Sequence, residues 1–80
     1  MGKNSRSILI REQERAKGNV QWAMQHITTI IVSYGESSKY YTDNNLPIPE
    51  TYEQVTIGCD AILTVLSDCI KAIDLLGEIL

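Results

Sequence analysis

His26 is the only histidine in this 80-residue sequence, and histidine is the side chain best suited to move protons near neutral pH. A catalytic histidine needs a nucleophile in reach and a carboxylate to orient it. Neither occurs at a telling spacing; the neighbour four residues back is Trp22. A packed or half-exposed ring is the expectation. Cys59 and Cys69 are the two thiols, with no Cys-x-x-Cys pair, no Glu-x-x-His spacing and no glycine-rich phosphate loop around them. Both fall on one helical stretch, ten residues or roughly 15 Å apart, beyond the reach of an intrachain disulfide. Buried thiols that fill a seam are expected there. The sequence offers no catalytic residue, metal site or cofactor motif, so no enzyme is expected.

One segment gathers more. Ser37-Ser38-Lys39-Tyr40-Tyr41-Thr42 brings together a cation, two phenol rings and several hydroxyls. Such a set can stack on a base and pair with a phosphate, or form an epitope for a protein. It can also be a plain connector whose tyrosines cap the end of a bundle. Trp22, the only tryptophan, is either core or an interface anchor. Lys39, Tyr40 and Tyr41, with Trp22, Arg11 and Arg15, are therefore the candidate contacts for a partner or a small anion.

Two helices must position these residues. Val55, Cys59, Ile62, Leu66, Cys69, Ile73, Leu76 and Leu80 alternate steps of four and three, the a/d seam of a heptad helix. Thr51 followed by Gln54 suits a capping box at its start. Leu9, Gln13, Ala16, Val20, Ala23, Ile27, Ile30 and Tyr34 repeat the rhythm. Gly18-Asn19 interrupts it, since an interior glycine costs about 1 kcal/mol relative to alanine. Either one helix spans roughly 5–35, or an arm to Lys17 precedes a second helix; the polar register through Gly18 favours a kink. Gly35 suits a C′ cap, and 36–49 reads as a loop with a turn at Asp43-Asn44-Asn45 and an extended run from Leu46 to Pro49. The second helix is expected over about 50–80.

The net charge is −3, unevenly spread: Lys3, Arg6, Arg11, Arg15 and Lys17 crowd the first 18 residues, and Lys71 is the lone cation after residue 49. Folding the helices back on each other would set Arg6 by Glu78, Arg11 by Asp74 and Arg15 by Asp68 or Cys69, ion pairs there being worth ~0–1 kcal/mol each when exposed. An acidic body with a short basic arm disfavours nucleic acid as partner. Neither a signal peptide nor a membrane span is read, and Arg6 at the sixth position spoils a myristoylation start at Met1-Gly2. With no disulfide framework, the cytoplasm is the expected compartment.

Eighty residues form a single small domain, marginal as a lone core. The second helix is apolar over a wider arc than one neighbour covers. Leu63, Ile70, Leu75 and Ile79 would stay wet on a single hairpin, a loss of several kcal/mol at about 25 cal/mol per Å². The expected fold is therefore all-α: an antiparallel two-helix hairpin assembling into a four-helix-bundle-like dimer or tetramer through those four residues. Small helical proteins of this design serve as adaptors, assembly factors and virus- or mobile-element-encoded inhibitors. The expected function is a homo-oligomeric protein-interaction module; the alternative is a small-ligand binder that holds a nucleotide-like anion between subunits.

Overall fold

A computed structural model describes residues 3–80, with side chains described from residue 5 onward. Met1-Gly2, and the myristoylation reading with them, lie outside the described residues, as does the Lys3 side chain. Two helices make up the fold: α1 (Lys3–Asp43) and α2 (Glu50–Ile79), packed against each other along their length.

Helix α1 runs unbroken through both glycines that were expected to interrupt or end it. Neither Gly18 nor Gly35 has a positive φ, and each faces open space on the outside of the pair. The expected end at Gly35 is thus corrected to Asp43, and the loop shrinks from 36–49 to 44–49. The reason lies just beyond Gly35. Tyr34 and Tyr41 both set their rings edge-on against Tyr52 of α2, at 4.8 and 5.7 Å between centroids. Aromatic pairs add about 0.5–1.5 kcal/mol beyond their area, enough to offset a solvent-facing glycine.

Asn45 closes α1. It adopts the left-handed conformation, φ 55°, which asparagine tolerates better than most residues. The Leu46 amide donates to the Tyr41 carbonyl at 2.8 Å and the Asn45 amide to the Thr42 carbonyl at 3.2 Å. These are the two bonds of a Schellman motif, with asparagine in glycine's usual place. The Asn44 side chain adds a bond to the Tyr40 carbonyl at 2.7 Å. At the far side of the loop α2 starts at Pro49, whose carbonyl accepts from the Tyr52 amide at 3.0 Å. The capping box expected of Thr51 and Gln54 does not form; no side chain caps this end.

The seam between the helices is rotated from the expected one. On α1 the half-buried positions are Gln13, Val20, Ile27, Tyr34 and Tyr41, interleaved with Lys17, Met24, Ile31 and Ser38, with Ala23 of the expected seam half-buried beside them. On α2 they are Tyr52, Leu66 and Ile73, with buried Cys59 between them and Leu80 just past the helix end, interleaved with Thr56, Leu63, Ile70 and Gly77; Val55, Ser67 and Cys69 beside them are half-buried as well. One heptad series is kept on each helix, while the other moves by one residue. Each helix is thereby turned by roughly 50° about its axis. Leu63 and Ile70 face α1 as a result, correcting the expectation that both stay wet on a single hairpin. Because the middle of α2 is apolar in both sets, with Ile62 and Cys69 in one and Leu63 and Ile70 in the other, periodicity could not choose between them.

Polar contacts accompany the chosen set. Gln13 Nε2 donates to the Ile73 carbonyl at 2.9 Å, lying over Gly77, where a side chain would obstruct it. Lys17 Nζ meets Asp74 Oδ1 at 2.7 Å. The expected ion pairs are corrected accordingly: Asp74 takes Lys17 rather than Arg11, and Arg15 pairs with Glu12 on its own helix at 3.1 Å.

Candidate functional site

Rotating the seam leaves one long side of the hairpin apolar. Next round from the seam on α2 come Val55, Ile62, Cys69 and Leu76, and beyond them Gly58, Val65, Ala72 and Ile79. Steps of three and four connect all eight, and none carries a charge. Ile62, Val65, Leu76 and Ile79 are 45, 61, 48 and 82% exposed. In an antiparallel pair, equivalent heptad positions lie on the same side. Leu9, Ala16, Ala23 and Ile30 of α1 therefore share this side, with Leu9 and Ile30 exposed. A shallow hollow of about 240 Å³, lined by Ala61, Ile62, Val65 and Leu66, marks its middle.

The opposite long side is polar. Thr28, Thr64, Ser67, Asp68 and Lys71, with Met24 and Leu63 beneath them, border an open groove of about 420 Å³. Asp68 and Lys71 form a loose pair there at 3.9 Å, and the Lys17–Asp74 contact lies on the same side. Charge thus gathers on one long side and apolar surface on the other.

The residues singled out for contact do not converge. Lys39, Tyr40 and Tyr41 belong to the last turns of α1, not to a loop as expected. Lys39 and Tyr40 are exposed, Tyr40 at 60%, while Tyr41 folds against Tyr52 and stacks edge-on with Tyr40 at 5.6 Å. Repulsion between two ionised phenols makes Tyr52 the chief cause that raises the Tyr41 hydroxyl above its ordinary value of 10.0. Arg11 and Arg15 sit near the other end of α1, some 24 residues or about 36 Å from Lys39. Trp22 is 63% exposed on the outer face of α1, its ring edge-on to His26 at 5.0 Å. Leu75, also on an outer face, is 60% exposed. Cys59 and Cys69 are free thiols, the first buried and the second half-buried. Among the described residues no three of His, Cys, Asp and Glu gather as metal ligands, and no helix is long and apolar enough to cross a membrane.

Of the prominent members of the apolar side, Ile62 and Leu76 were expected in the seam against α1 and Ile79 at the oligomer interface, while Val65 was not singled out. Their signal was present in the wide apolar arc of α2. What was missing was the rotation that decides which part of the arc α1 covers. The architecture is that of an elongated two-helix hairpin with one polar and one apolar flank. No protein-family model, curated protein or solved structure matches the chain.

Proposed function

We propose that this chain is a non-enzymatic, homo-oligomeric protein-interaction module: an adaptor, assembly factor or inhibitor that completes its fold against copies of itself. One observation carries the reading. Cys59, at 6% exposure, is the only buried side chain among the described residues. A hairpin with a single interior residue forgoes the burial that normally offsets chain entropy. A neighbour restores it. Trp22 and Tyr40, both large and exposed, are the contacts offered to a second protein, since exposed aromatics anchor interfaces. Two free thiols in so small a domain suit a reducing compartment, and the cytoplasm is where we place it.

Binding of a small anion would require Arg11 and Arg15 of one subunit to meet Lys39 of another, and no observation favours that arrangement. Size exclusion with light scattering should return a multiple of 9.0 kDa. Affinity capture from lysate should then recover a protein partner that Trp22→Ala or Tyr40→Ala loses. A cooperatively melting monomer in dilute solution would refute the reading, as would an oligomer that captures no protein yet shifts its melting point with a nucleotide.

A further inference from the structure

We propose that the apolar flank is covered by a second copy of the chain, with α2 packed antiparallel on α2 of the partner subunit about a twofold axis level with residue 67. The inference rests on the oligomeric reading above and specifies its geometry. The uncharged strip on α2 runs from Val55 to Ile79 in heptad steps, a second seam beside the one that α1 occupies. Only one antiparallel register overlaps the whole strip, and it matches large residues to small. Gly58 then faces Leu76 of the partner subunit, Ile62 faces Ala72 of the partner subunit, and Val65 faces Cys69 of the partner subunit. At the ends Val55 meets Ile79 of the partner subunit. A parallel pairing would instead set Gly58 on Gly58 and Ala72 on Ala72, leaving voids, and crowd Leu76 on Leu76. Interiors favour the filled arrangement.

The same rotation stacks α1 beside α1 of the partner subunit. It brings Ala16 level with Ile30 of the partner subunit, a further small-to-large match, and closes a four-helix bundle. Area supports a second copy as the occupant. One long side of a rod 65 by 14 Å presents about 900 Å², against about 800 Å² per partner in a stable interface. The accessible surface of a lone chain, 6214 Å², exceeds by about 1,300 Å² the roughly 4,900 Å² of a compact protein of this mass, enough excess to hide a side of that size. A lipid surface fits poorly, because Lys71 is the only cation on α2 to meet anionic headgroups.

Disulfide trapping tests the register in the full chain. Val65→Cys places a thiol opposite Cys69 of the partner subunit, on a side chain exposed enough to leave the hairpin intact. Under oxidised glutathione this variant should yield about tenfold more covalent dimer than the native chain, as expected for thiols held at high effective concentration. Adding Cys69→Ser should abolish it. Gly58→Cys with Leu76→Cys, in a Cys69→Ser background, is the second reporter and should cross-link as well. Efficient Cys69–Cys69 dimers in the native chain, with no gain from Val65→Cys, would overturn antiparallel pairing in favour of parallel. An oligomer that neither reporter traps would overturn the strip as its interface and leave the oligomeric reading standing. A monomer by light scattering would sink both.

Discussion

A methyl group added at Gly18 meets nothing within 4 Å, whereas one added at Gly77 lands 2.7 Å from Gln13 Nε2. The two glycines therefore serve different ends. Gly18→Ala should stabilise the fold by about 0.4–1 kcal/mol, because it removes unfolded-state freedom from a helical position at no steric cost. Gly77→Ala should forfeit that gain, since the Gln13 amide must leave the Ile73 carbonyl, a hydrogen bond worth about 0.5–1.5 kcal/mol. Urea melts of both variants, repeated in a Gln13→Ala background, should show the difference vanish when Gln13 is gone. The tyrosine cluster yields a prediction in pH. Tyr41 titrates above 10.0 in the fold. Its neutral form is favoured there, so the contribution is fully present below the unfolded value and lost as pH rises through the higher folded one. Absorbance titration near 295 nm should show Tyr41 ionising earlier in Tyr52→Phe, and an unchanged titration would remove Tyr52 as the cause.

At the scale of the helices, the loop-end cap governs where α1 stops. Asn45 holds φ 55°, so Asn45→Gly should be tolerated or slightly stabilising. Asn45→Val, β-branched and strained there, should cost about 1–2 kcal/mol and fray the end of α1. Amide exchange at Leu46, whose N–H bonds the Tyr41 carbonyl, reports it directly. This end also separates what was legible in sequence from what was not. Both helices, their antiparallel pairing and the turn at Asp43-Asn44-Asn45 follow from spacing and turn chemistry. The extension past Gly35 does not, because it depends on Tyr34 and Tyr41 finding Tyr52, a contact between distant parts of the chain. The seam rotation was hidden for a like reason. Leu63 and Ile62 are equally apolar neighbours, and only contacts such as Lys17 with Asp74 select between them. Of the candidate contacts, exposure of Trp22 and Tyr40 could not be read from their types alone.

Taken whole, the molecule is a rod. Its radius of gyration is 18.7 Å, against about 12 Å for a compact chain of this length. A rod this thin should owe its melting point to association, so Tm should climb with protein concentration across the micromolar range. Val65→Lys, which sets a charge on the apolar flank without touching the seam, should lower the mass seen by light scattering and remove the concentration dependence of Tm. A Tm independent of concentration in the native chain would count against association as the source of stability.

Cys59 being the sole enclosed side chain among the described residues also changes how truncation data must be interpreted. In an ordinary domain a costly leucine-to-alanine change marks the interior of the same chain, at about 2–5 kcal/mol each. Here the hairpin alone has too little enclosed volume to lose that much at Ile62, Leu76 or Ile79. Any penalty of that size at those positions would be a reading taken from the neighbouring molecule, so an alanine scan for stability would double as a footprint of whatever lies against the flank.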